Sequence, residues 1–230
     1  MGLSAVIDLG TNTFRLLIAQ TDGVGFTTLF SENQIARLGE GFSQEKCFRT
    51  SAMERAIVIL RFFKERLDAY PIDQLSIVGT SAFREAKNRD AFLALIKEKT
   101  GFDVEVISGE AEARFTFLGM SLIFPDCMKP MLLMDIGGGS TEFIVVEGGT
   151  HRKMISTLLG VVALTERHLH NAPTTHEACD AVRREIEVTL QNVTSDFPKD
   201  ALFAGTAGTL TTLAAMDQKM TGYDPDKING

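Results

Sequence analysis

Cysteine is scarce and poorly placed for cross-links: three among 230 residues, at 47, 127 and 179, with no CxxC pair. An odd, widely spaced set argues against a disulfide scaffold or a zinc ribbon, and for reduced thiols in a cytoplasmic protein. Cations are outnumbered as well, with 23 Lys plus Arg against 30 Asp plus Glu and a net charge of −7. Phosphate-backbone binding needs a clustered cationic excess, so a sequence-specific nucleic-acid partner is not expected. If the ligand is itself an anion, local arginines, backbone N–H groups or a divalent metal must hold it against the net field. No apolar run approaches the ~18 residues of a membrane span. The start MGLSAVIDLG lacks the basic and apolar regions of a secretory leader. No GxxxxGK[ST] occurs, which excludes a P-loop.

What is present is the balance of an ordinary globular chain, 44% apolar and 23% charged, with length for one large or two small domains. The sequence also echoes itself. LSAVIDLGTNTFRLLIA near the start and MLLMDIGGGSTEFIVV from Met131 share one plan: an apolar strand ending in Asp-x-Gly, a small-residue turn, then a second apolar strand. Asp8 and Gly10 recur at the same offset as Asp135 and Gly137. This is hairpin grammar, and its repetition predicts two similar domains, 1–126 and 127–230. Between the echoes, apolar residues at helical spacing predict helices over 51–70, 90–99 and 110–120, with short strands over 75–79 and 102–107. Beyond the second hairpin, Thr174 and Glu177 form a capping-box pattern ahead of a helix, and 201–204 reads as a strand followed by another helix. Strands alternating with helices, each half headed by a hairpin, predict an α/β fold with mixed sheets.

A single Asp followed by a Gly turn arises equally as a plain hairpin. Here three small-residue loops occur: Gly10-Thr11-Asn12-Thr13, Gly137-Gly138-Gly139-Ser140-Thr141 and Gly205-Thr206-Ala207-Gly208-Thr209. Such loops leave N–H groups unshielded and suit phosphoryl oxygens, with Thr11, Thr13, Ser140, Thr141 and Thr206 as further hydroxyl donors. Phe115, Phe117 and Leu118 read as core, and His168-x-His170 as a solvated surface pair.

Taken in order, VIDLGTNTFRLLIA, GTSAFREAKN, VISGEAEARFTFLGM, MDIGGGSTEF and GTAGTLTTLA resemble the exopolyphosphatase and guanosine pentaphosphate phosphohydrolase (Ppx/GppA) family across nearly the whole chain. The resemblance implies two RNase H-like domains of the actin and sugar-kinase superfamily around a cleft. It also implies removal of a terminal phosphate from inorganic polyphosphate or guanosine pentaphosphate, with polyphosphate or guanosine penta- or tetraphosphate as the bound partner. Carried over by position, Glu112 is the base that activates water. Asp135 and Glu142, with Asp8 as their counterpart in the first half, hold a divalent cation, magnesium by preference. Arg84 positions the substrate, and Arg15 and Arg37 face the cleft. Family members are often dimers, so a homodimer is the expected assembly. Against the family's length the second domain reads as truncated at its C-terminal end. Without the family, the loops would also suit an actin-superfamily ATPase or kinase, or a non-catalytic alarmone sensor.

Overall fold

The computed structural model describes residues 2–22, 25–123, 129–169, 172–193, 197–222, 224 and 227–228. The chain divides into two compact units, Met1–Ser108 and Gly109–Gly230. The domain boundary expected between residues 126 and 127 lies outside the described residues, as do Cys127 and His170.

The first unit contains β1 (Gly2–Leu9), β2 (Thr13–Thr21), β3 (Phe26–Ile35), α1 (Phe42–Glu45), α2 (Thr50–Leu67), β4 (Gln74–Gly79), α3 (Ser81–Glu85), α4 (Arg89–Thr100) and β5 (Glu105–Val106). Its sheet runs β3-β2-β1-β4-β5, with the first three strands antiparallel and the last two pairings parallel. Alternation along β1 and β2 builds one face of the core. Leu9 opposes Phe14, Ile7 opposes Leu16 and Ala5 opposes Ile18, and all six are buried. From α2, Ala52, Ala56, Leu60, Phe63 and Leu67 join the same core at helical spacing. Phe83 stacks on Phe92 at 5.6 Å and meets Phe48 edge-on at 5.2 Å. Gly79 leaves room for this cluster, since a Cβ there would stand 2.9 Å from the Phe83 ring. The junction from β4 to α3 is pinned accordingly.

The second unit contains α5 (Gly109–Ile123), β6 (Met131–Ile136), β7 (Thr141–Glu147), β8 (Thr150–Thr157), α6 (Val161–His168), α7 (His176–Val193), β9 (Leu202–Thr206) and α8 (Ala207–Asp217). Among the described residues its sheet runs β8-β7-β6-β9, repeating the antiparallel trio followed by a parallel neighbour. The expected duplication is therefore real, and both units carry the RNase H-like strand order. Met131 and Leu133 of β6 and Ile144 and Val146 of β7 form a small core with Ala113 and Met120 of α5.

Several sequence expectations need correction. Phe117 packs against this core, but Phe115 and Leu118 are 56% and 48% exposed, because only one side of α5 meets the sheet. The α7 cap is Thr175, whose Oγ1 accepts from the Ala178 N–H at 3.2 Å; the helix starts one residue later than a Thr174 cap requires. His168 is half-buried and bonded to Glu185 rather than solvated. Of the strand expected over 102–107, only Glu105–Val106 pairs. No helix among the described residues is long and apolar enough to cross a membrane.

Candidate active site

The second unit gathers the carboxylates. Register places Asp135 of β6 directly opposite Glu142 of β7, on the face that carries Met131, Leu133, Ile144 and Val146. Directly opposed like charges repel, and α5 lies over this same face. Glu112 sits in the first turn of α5, and Thr116, one turn further on, donates from Oγ1 to Asp135 Oδ2 at 3.3 Å. Glu142 is 1% exposed. Its carboxyl is pushed up to about 8, first by burial and then by the charges of Glu112 and Asp135, against hydrogen bonds from Ser156 and Ser140. The Ser156 hydroxyl donates to Glu142 Oε1 at 2.7 Å from the neighbouring strand, where register sets the two residues opposite each other.

The turn between these strands has a fixed orientation. Gly137 N–H closes it on Ser140 O at 2.9 Å. The first N–H groups of α6 grip it from one side: Val161 donates to Gly137 O at 3.1 Å, and Val162 and Ala163 to Gly138 O at 2.9 and 3.1 Å. In a trans peptide the next N–H points opposite to the carbonyl, so the Gly138 and Gly139 N–H groups turn away from α6. They form a donor pair suited to an anion. The α6 N-terminus is itself consumed in holding the turn. Gly160 permits that approach, because a Cβ there would lie 2.3 Å from Gly138 O. Thr141 braces the turn from below: its buried hydroxyl donates to Leu159 O.

The third loop joins the same end of the sheet. Thr206 of β9 is the parallel neighbour of Asp135, and Thr209 donates to Ile136 O at 3.3 Å. Between them Ala207 opens α8 with φ 68°, a left-handed conformation that costs a non-glycine residue about 1–2 kcal/mol. Gly205 and Gly208 flank it.

In the first unit the equivalent hairpin repeats the turn but not the charge. Gly10 N–H closes on Thr13 O at 3.2 Å. Thr11 O accepts from Gly39, and Asn12 O from Ala36 and Arg37, so the Asn12 and Thr13 N–H groups turn away from that segment. Asp8, however, opposes Arg15, with Nη1 to Oδ2 at 3.6 Å. Arg84 on α3 donates from Nη1 to Ile107 O at 3.2 Å. Arg55 pins the segment bearing Arg37 through bonds to Ala36 O, Arg37 O and Glu40.

Within the second unit the structure therefore brings together Glu112, Asp135, Glu142, Gly137, Gly138, Gly139, Ser140, Thr141 and the loop from Gly205 to Gly208. Within the first it brings together Asp8, Gly10, Thr11, Asn12, Thr13 and Arg15 on one hairpin, with Arg84 beyond the C-terminal end of β4, the strand parallel to β1. Sequence reasoning missed Thr116, Ser156 and Gly160. Thr116 was legible from its i+4 spacing to Glu112; the other two arise from strand register and backbone packing.

No group of three or more His, Cys, Asp and Glu side chains among the described residues is arranged to hold a metal ion. The Asp135–Glu142 pair nonetheless suits a hard cation that takes only one or two carboxylates. Two crowded carboxylates, one of them forced towards its neutral form, are the condition a divalent ion relieves.

The Ppx/GppA phosphatase family model matches residues 17–229. Exopolyphosphatase 2 of Mycobacterium tuberculosis is 35% identical over 98% of this chain and 74% of its own length. Among solved structures, an exopolyphosphatase-like protein superposes with a TM-score of 0.89 at 33% identity, covering 96% of this chain and 71% of that one. The Aquifex aeolicus family member superposes at 0.76 and 31% identity, covering 98% and 72%. With its two RNase H-like units, this chain belongs to the Ppx/GppA phosphatase family.

Proposed function

We propose that this chain is a metal-assisted phosphohydrolase that removes the terminal phosphoryl group of inorganic polyphosphate or guanosine pentaphosphate, with Glu112 as general base. Family membership and the name of the M. tuberculosis relative support hydrolysis of a phosphoanhydride. The observation that carries the reading is that Glu112 interacts electrostatically with Glu142, the residue directly opposite Asp135 at the edge of the Gly137–Gly139 turn. The turned-out N–H groups of Gly138 and Gly139 bind the terminal phosphoryl oxygens and oppose the charge that develops on them. Glu112 Oε accepts the proton of the attacking water, which enters in line without a covalent intermediate. Asp135 and Glu142 would hold a divalent ion, magnesium by preference, which would neutralise phosphoryl charge and keep Glu142 ionised. Arg84 offers a planar fork for a neighbouring phosphate.

Orthophosphate release from polyphosphate, guanosine pentaphosphate and ATP, each with magnesium, tests the reading beside Glu112→Gln. We expect release from one of the first two, lowered about 100-fold or more in the variant with binding retained. Undiminished release by Glu112→Gln removes Glu112 from the base role. ADP formation as the main activity moves the chain to the ATPase reading.

A further inference from the structure

The turn that presents Gly138 and Gly139 is held by α6, and α6 is in turn held at its other end by a side-chain cluster outside the candidate site. Arg167 and His168, the last two residues of α6, both bond to one carboxylate in the middle of α7. Arg167 Nη2 donates to Glu185 Oε1, and His168 Nε2 meets Glu185 Oε2 at 2.5 Å. Burial opposes ionisation of Glu185, yet the bonds and charges of His168 and Arg167 outweigh it and hold the carboxyl below the usual glutamate range. Arg167 depends on this contact. Its other acceptor, Leu158 O, lies at 3.5 Å, and its buried Nε has no acceptor among the described residues.

With eight residues, α6 is only two turns long, so a tilt at its C-terminal end is transmitted to its first N–H groups almost undamped. Those groups are the donors from Val161, Val162 and Ala163 to Gly137 O and Gly138 O. The contact is also rigid, because Gly160 meets Gly138 and Gly139 backbone to backbone with no side chain between to absorb movement. The geometry points to Glu185 as a positioning residue: through Arg167, His168 and α6 it sets the direction in which the Gly138 and Gly139 N–H groups face the terminal phosphoryl group. The catalytic part of this inference rests on the phosphohydrolase reading; the holding of the turn does not.

The test compares the full chain with Glu185→Gln, which keeps the shape and removes the charge, and with Arg167→Lys, which keeps the charge and loses the fork. Arg183→Gln, which removes an exposed pair with Asp180 on α7, serves as control. Amide hydrogen exchange is read over residues 137–141 and 158–163, and kcat and KM on short-chain polyphosphate. In Glu185→Gln, exchange over 137–141 rises about tenfold. Its kcat falls about tenfold while KM stays within about twofold, because misdirected donors are felt most where charge develops. Arg167→Lys lies between, and the control matches the parent. Adding Arg167→Lys to Glu185→Gln brings no further loss, since both act through one contact. Faster exchange over 158–163 with 137–141 unchanged would overturn the inference, reducing Glu185 to an anchor of α6 alone. A chain that releases no phosphate yet shows the expected exchange pattern keeps the holding role and discards the phosphohydrolase reading.

Discussion

Glu142 is the residue where structure and chemistry pull hardest against each other. Its folded value of about 8 lies above the ordinary value of 4.5, so between those limits the folded chain keeps a proton that the unfolded chain has released. Stability is full below the lower limit and is lost as pH rises through about 8. Glu142→Gln, isosteric and always neutral, escapes that loss. In metal-free melts the variant should match the parent near pH 4.5 and exceed it by about 10 °C above pH 8, while orthophosphate release collapses. A difference in melting temperature that does not change with pH would mean the carboxyl is ionised throughout. Glu142 was legible as a candidate because the family motif carries it. Its burial was not, since that comes from α5 lying over the carboxylate face. Ser156 was hidden for the same kind of reason: it acts only through the register of β7 with β8.

Elements were legible where an apolar face drives them. The hairpins and the helices over α2, α4 and α5 stand where expected, because each buries an apolar face, and β7 buries both of its faces. Two strands were missed, β3 and β8, and both are sheet edges. Their residues, FTTLFSENQI and THRKMIST, are mostly exposed or half-buried, so the backbone ladder holds them and no strong period-two signal arises. The approach of α6 to the glycine turn was equally silent, for it depends on Gly160, which carries no motif of its own. A methyl group at Gly160 would fall 2.3 Å from Gly138 O and from Gly139 C, both backbone atoms that cannot rotate away. Gly160→Ala should therefore destabilise the chain by about 1–3 kcal/mol. It should also cut turnover more than its melting shift explains, because the displaced segment is the turn itself. Full activity at parental melting temperature would show that α6 can withdraw without moving the turn.

At the scale of the molecule the duplication is close in backbone and unequal in charge. Both hairpins close by the same N–H to carbonyl bond across the turn, and both end their first strand in Asp-x-Gly. In the first unit the buried core residues of β1 and β2, Ala5, Ile7, Leu9, Phe14, Leu16 and Ile18, lie on the face away from Asp8. In the second, α5 packs on the face that bears Asp135. The same position is thus an Asp–Arg pair in one unit and, in the other, a carboxylate pair of which Glu142 is buried. The echo in sequence showed the shared turn; the inequality needed the register and the placement of α5. Function follows the inequality. Asp8→Asn loses a partly exposed ion pair worth about 0–1 kcal/mol and leaves the Asp135–Glu142 pair untouched. Asp135→Asn removes one of two opposed carboxylates and with it the charge that a cation answers. Melts with and without magnesium should show a metal-induced rise in the parent and in Asp8→Asn, and none in Asp135→Asn. If Asp8→Asn abolished the rise as completely, the Asp135–Glu142 pair would not be what holds the ion.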